Sequence, residues 1–232
     1  MVTQSDFKFQ AFFLLSGFTP ITALAIALLD WAPLHVTAPI FVLPVFVFMI
    51  VIGYRHPLYG ERALRGWMAG VIATFVYDGT RVPFLMAGMW QDFIPKIGDY
   101  LLNTEGSSWI IGYLWRYLGN GGGMGIGFAM IVPWLCHFVE IKRGAVCYGV
   151  AIWGCLMLTL VGCPDPERML FAITPLSFIL SLLGHIVYGA LLGIQFAGPS
   201  RRVSKSSFLR GRSSFNTKGE RRPIPAGLWG ER

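Results

Sequence analysis

The sequence predicts an all-α membrane protein: a bundle of six transmembrane helices, one interfacial helix and an extended basic C-terminal tail. Of the 232 residues, 54% are hydrophobic and only 13% are charged, whereas soluble domains carry about 25% charged residues. Several apolar runs reach the roughly 20 residues that a helix needs to cross a bilayer. The sequence lacks short alternating segments separated by hairpin turns, which disfavours an outer-membrane β-barrel.

The first three predicted helices precede residue 91. Residues 9–29 form the first apolar run, and Pro20 within it predicts a kink because proline removes a backbone hydrogen-bond donor. Residues 36–54 form the second run, and a short basic turn at 55–65 follows it. The third run, at 64–90, organises the bundle because it is apolar enough to cross a bilayer and yet carries charged residues near its middle.

An interfacial helix and three further spans follow. In residues 91–108, apolar side chains recur at helical spacing with charged ones between them, which is typical of a helix lying in the membrane interface. The remaining spans are the apolar runs at 109–135, 144–162 and 169–197. Residues 1–197 therefore form the predicted transmembrane domain, and residues 198–232 form a cytoplasmic tail.

The distribution of charged residues predicts how the bundle is oriented. The basic residues of the turns on one side are Arg55, Arg62, Arg65, Lys142 and Arg143. The opposite loops hold two basic residues, Lys96 and Arg168, and the acidic residues Asp30, Asp92, Asp99, Glu105, Asp165 and Glu167. Because loops rich in Lys and Arg stay in the cytoplasm, both termini are predicted to be cytoplasmic. The expected location is a bacterial inner membrane or a photosynthetic or other energy-transducing membrane.

Four ionisable residues fall inside predicted spans: Asp78, Arg81, Arg116 and His185. A rise of about 1.5 Å per residue puts them at similar depths, and Asp78 and Arg81 are helical neighbours at i and i+3. A charge at the bilayer centre costs about 2.5–3.5 kcal/mol on insertion scales, so it needs a partner or a function. One interpretation is structural, with Asp78 accepting hydrogen bonds from Arg81 or His185. The other is a proton, ion or substrate path.

The sequence predicts no metal site and no catalytic site. The four cysteines lack C-x-x-C spacing, and neither HExxH, GxSxG nor a pair of carboxylates around a substrate is present. The histidines lie at different depths, which disfavours a haem held by two of them. A single pigment or haem at His185 stays open, and bound lipid is expected.

Glycine-rich segments predict close helix packing. The run at 119–127 contains six glycines but follows no predicted strand, so it is not a phosphate-binding loop. The glycines predicted to lie at helix interfaces are Gly119, Gly123, Gly127, Gly189 and Gly193. Segments 121–129 (GGGMGIGFA) and 189–197 (GALLGIQFA) are also similar. This similarity suggests that spans three and four repeat as spans five and six, with chance similarity as the alternative.

The whole net charge of +7 comes from residues 198–232, which contain nine Lys or Arg and two Glu. This basic, Ser-rich segment has too little apolar surface to build its own core. We expect it to dock on a cytoplasmic partner subunit or on anionic lipid, with aromatic anchors and charge complementarity. The docking residues are predicted to be Arg201, Arg202, Phe208, Arg210, Arg212, Phe215 and Trp229. Nucleic acid is not an expected partner because the charge lies on a tail.

Two motifs carry a resemblance to known proteins. Residues 184–193 read G-H-x-x-Y-G-x-x-x-G, and residues 112–123 read GYLWRYLGNGGG. The pattern resembles a group of small, uncharacterised multi-pass bacterial membrane proteins, and this resemblance implies a helical bundle. The residues themselves predict a non-catalytic accessory or scaffold subunit of a larger membrane complex, such as a photosynthetic or respiratory one. The alternative is a small transporter or channel whose path passes Asp78, Arg81 and His185.

Overall fold

The computed structural model describes residues 4–106 and 108–197, which form helices joined by short connections. No β-strand occurs within those ranges, so the predicted helical class is confirmed. The helices are α1 (Gln4–Leu28), α2 (Leu34–Arg55), α3 (Pro57–Met86), α4 (Ile94–Leu102), α5 (109–135), α6 (Ile141–Gly162), α7 (Pro166–Met169) and α8 (Pro175–Phe196). The docking residues predicted for the tail lie outside the described residues.

Two of the long helices contain a π-helical segment. In α2 this segment is Ala38–Val42. Pro39 and Pro44 lack a backbone N–H, so α2 cannot keep every hydrogen bond of an α-helix around them. The pieces of α5 are Trp109–Leu114, the π-helical Trp115–Gly121 and Gly122–Leu135.

Within the described ranges, four helical segments are long and apolar enough to cross a membrane: Phe7–Leu28, Leu34–Arg55, Ile141–Gly162 and Pro175–Phe196. These segments indicate an integral membrane protein. Helices α3 and α5 are at least as long. However, Asp78 and Arg81 lower the mean hydropathy of α3, and Arg116, Asn120 and the glycine-rich segment lower that of α5.

The structure corrects two predicted boundaries. The predicted turn at 55–65 is only a bend at His56, and α3 already begins at Pro57, because proline fits the first helical position. The last long helix begins at Pro175 rather than near residue 169. Its start is set by Thr174 and Ser177: Thr174 Oγ1 accepts from the Ser177 N–H at 3.1 Å, and Ser177 Oγ accepts from the Thr174 N–H at 2.9 Å. This reciprocal arrangement is a capping box.

The connections that follow α1, α3 and α6 meet at one end of the bundle, which we call the Trp90 end. Arg168 donates a hydrogen bond to the carboxylate of Asp30, and the rings of Trp90 and Phe171 pack edge to face with centroids 5.5 Å apart. The start of α1 and the bend at His56 lie together at the opposite end, which we call the His56 end.

Helix α5 is the centre of the bundle and packs on both α1 and α3. All of its residues from 122 to 130 are buried. A Cβ atom at Gly17 would lie 2.6 Å from the carbonyl oxygen of Gly123 on one side, and a Cβ atom at Gly66 would lie 2.6 Å from that of Gly125 on the other. Glycine is required at these contacts because the helix backbones touch directly.

Glycines also bring α8 close to α6. A Cβ atom at Gly189 would lie 3.0 Å from Cα of Val146, and one at Gly193 would lie 3.0 Å from Cα of Lys142. The predicted interface glycines of α5 face α1: Gly119 beside Pro20, Gly123 beside Gly17 and Gly127 beside Phe18. Helix α3 packs on α5 through Gly66 and Gly70. Both the α3–α5 pair and the α6–α8 pair thus use glycines four residues apart.

Candidate functional site

The candidate site is built on one face of α3. Thr74, Tyr77, Asp78 and Arg81 are all buried, and their three- and four-residue spacing puts them on the same side of a helix. The opposite side exposes large apolar side chains such as Phe75. Helix α3 thus turns its polar face toward α5 and α8, with which it packs, as ionisable residues in membrane helices do.

Two arginines hold the carboxylate of Asp78. Arg116 on α5 donates to both of its oxygens, from Nε to Oδ2 at 3.3 Å and from Nη2 to Oδ1 at 3.0 Å. Arg81, one turn further along α3, donates from Nη1 to Oδ1 at 3.1 Å. The two-point contact of Arg116 uses the planar fork that matches a carboxylate. It therefore restricts the rotation of α5 relative to α3 as well as neutralising charge.

Arg116 reaches Asp78 from the π-helical segment Trp115–Gly121. Such segments are rare and often occur at functional sites. The carbonyl oxygen of Gly121, at the end of this segment, accepts a hydrogen bond from the hydroxyl of Tyr188 on α8 at 2.9 Å. The segment that carries Arg116 is therefore also tied to a third helix.

Arg81 is enclosed at the Trp90 end of the bundle, where only 2% of the residue is exposed. Its Cζ atom lies 5.0 Å from the ring centroid of Trp90 and 4.5 Å from that of Phe93. Aromatic faces attract a guanidinium group most strongly where water is excluded. Both rings belong to the connection between α3 and α4, so Arg81 helps to fix that connection onto the bundle.

Asp92 completes the network, and the sequence interpretation did not include it. Its Oδ1 lies 3.8 Å from Nη2 of Arg81, while its Oδ2 accepts a hydrogen bond from the Tyr113 hydroxyl at 3.0 Å. The Asp92 side chain is 33% exposed, unlike that of Arg81. The sequence does contain one indication of a further acidic residue. The predicted cluster has two arginines and one aspartate, so a second carboxylate is needed to balance its charge.

The four charges balance one another. The network contains two aspartates and two arginines, contributed by α3, α5 and the connection between α3 and α4. Removing one partner from a buried ion pair costs about 3–5 kcal/mol because the other charge is left uncompensated. The arrangement is therefore suited to holding helices in register, and each carboxylate in it is already paired.

His185 lies beside the network rather than in it. Its Nδ1–H donates to the Ser181 carbonyl oxygen at 2.7 Å, since that oxygen can only accept. Its ring packs edge-on against Tyr77, with centroids 5.3 Å apart. Tyr77 in turn lies under the guanidinium of Arg116, 4.8 Å from its Cζ atom. The structure thus brings Asp78, Arg81 and Arg116 into direct contact and separates His185 from them by one aromatic ring.

Among residues 4–106 and 108–197, no group of three His, Cys, Asp or Glu side chains is placed to hold a metal ion. No protein-family model, curated protein or solved structure matches the chain. The function must therefore be inferred from the site itself, whose chemistry is ion pairing between helices.

Proposed function

We propose that the protein is a non-catalytic accessory or scaffold subunit of a larger membrane complex. The observation that supports this function best is the pairing of all four charges in the network of Asp78, Arg81, Arg116 and Asp92. A proton or ion path needs a group that can change its charge or its partner, whereas two-point pairing with Arg116 holds Asp78 in one state. The network instead gives three parts of the bundle a fixed mutual position.

Six membrane spans are part of this proposal. Helix α3 has 30 residues and is about 45 Å long at 1.5 Å per residue, which exceeds the bilayer core. Residues 109–135 are long enough as well. Asp78 and Arg81 near the middle of α3 are buried, so the helix does not present these two charges to lipid. With six spans, the His56 end carries both termini.

The proposed orientation follows from charge. The bend at the His56 end is flanked by Arg55, Arg62 and Arg65, which favours a cytoplasmic location for this end. The loops at the Trp90 end contain Asp30, Asp92 and other acidic residues. Acidic residues have little influence on membrane orientation under the positive-inside rule. The segment that follows residue 197, with its nine Lys and Arg residues, is then proposed to be cytoplasmic.

Two surfaces are available for partner subunits. Only Leu34, Val42 and Met49 of α2 are buried, and more than half of its residues are exposed, so one side of this helix is open to lipid or to another membrane subunit. The tail is the second surface. Its aromatic side chains, among them Phe215 and Trp229, would supply affinity, and its arginines would steer the association with an acidic surface.

The test is co-purification from native membranes in mild detergent, with the full chain compared with a truncation ending at Ala197. We expect the full chain to retain a defined set of partner subunits and the truncation to insert normally but lose the cytoplasmic partner. Equal retention by both forms would show that the tail does not dock. If neither form retains any partner, the accessory-subunit proposal is wrong.

A further inference from the structure

An apolar groove of about 520 Å³ lies on the bundle near the His56 end. Its walls come from α2 and α3, and its floor includes Phe13 of α1 and Ile126 of α5. The two walls touch at Gly53 and Gly60, where a Cβ atom on Gly53 would lie 3.2 Å from Cα of Gly60. Helix α2 also packs on α1, and the space beside its crossing with α3 is open.

The lining of the groove is almost wholly apolar, with one charged residue. Side chains such as Met49, Leu64 and Trp67 form most of its surface, and Glu61 is the only acidic or basic residue among those that line it. Arg65 follows Glu61 by four residues, which places it on the neighbouring part of the same helix surface. Both side chains are exposed, and neither forms an ion pair within the described ranges.

We infer that this groove binds a phospholipid whose headgroup carries a primary ammonium group. One acyl chain occupies the apolar groove, the phosphate lies at Arg65, and the ammonium donates hydrogen bonds to Glu61. The inference rests on the proposed placement of the His56 end at a membrane surface, where headgroups meet protein. The acidic side chain decides the class of headgroup, because a carboxylate accepts hydrogen bonds from a primary ammonium and receives none from a trimethylated one.

Native mass spectrometry of the detergent-purified full chain measures this binding directly. The probes are phosphatidylethanolamine, phosphatidylcholine and phosphatidylglycerol with identical acyl chains. We expect phosphatidylethanolamine to bind roughly two- to fivefold more tightly than the other two lipids. This is the difference in affinity that one exposed ion pair produces. Tighter binding of phosphatidylglycerol, or equal binding of all three, would overturn the inference.

Two variants and one control variant assign the binding to the groove. Glu61→Gln should bind the three lipids equally, whereas Glu140→Gln, an exposed glutamate proposed for the same side of the membrane, should keep the wild-type preference. Leu64→Trp fills the groove and should weaken all three lipids. A preference that survives Glu61→Gln, or wild-type binding by Leu64→Trp, would contradict the assignment. Partner subunits are absent from this measurement, so its result is independent of whether the protein belongs to a complex.

Discussion

Asp78→Asn tests the role of the charge network. The substitution keeps the size of the side chain and removes its charge, so Arg81 and Arg116 lose the carboxylate to which they donate at 3.0–3.3 Å. Removing one partner of a buried pair costs about 3–5 kcal/mol. Asp92 remains 3.8 Å from Arg81, and the new amide oxygen can still accept one hydrogen bond. We therefore expect a loss in the lower half of that range, about 3–4 kcal/mol.

The assay is unfolding of the purified protein in mixed micelles, followed by tryptophan fluorescence. Glu105→Gln is the matched control, because Glu105 is exposed and should change the free energy of unfolding by less than about 0.5 kcal/mol. The double variant Asp78→Asn with Arg116→Gln leaves Arg81 paired with Asp92. It should therefore lose less stability than the two single variants added together. The reasoning is refuted if Asp78→Asn is as stable as Glu105→Gln.

Three further predictions concern packing, capping and topology. Gly125→Ala should destabilise the protein by about 1–3 kcal/mol through overpacking, because its Cβ would lie 2.7 Å from Cα of Gly70. The control Gly79→Ala should leave the stability unchanged, because its Cβ would meet nothing within 4 Å. Equal melting temperatures for the two variants would contradict the described packing. Thr174→Ala should cost about 1 kcal/mol in chemical unfolding by removing the cap of α8, and an unchanged midpoint would contradict it. In a background without native cysteines, an impermeant thiol reagent added from outside should label Lys96→Cys but spare Ser206→Cys; the reverse result would overturn the orientation.

The sequence predicts some contacts of the site because they are local. Asp78 and Arg81 are three residues apart on a long helix, and this spacing alone indicates that they pair. Depth along the helices also indicates that Arg116 lies at a similar level. Asp92 could not be placed this way, because its position depends on how the connection after α3 folds back over Arg81.

The fold shows the same division between local and long-range signals. Apolar runs predict the helical class and most of the long helices. The π-helical segment Trp115–Gly121 has no comparable signal in the pattern of apolar residues. The basic residues Arg62 and Arg65 favour a turn, so the sequence pattern does not predict the early start of α3, although Pro57 is a helix-start residue.

The most direct test of the proposed function is the apparent mass of the protein in its native membrane. Untagged wild-type chain is extracted in mild detergent and resolved on a native gel, with the isolated 25.8 kDa chain in the same detergent as the reference. We expect the native material to migrate as a larger, defined complex, and Asp78→Asn to lower the amount of that complex at equal expression. Migration of the native chain at the position of the isolated chain would contradict its role as a subunit.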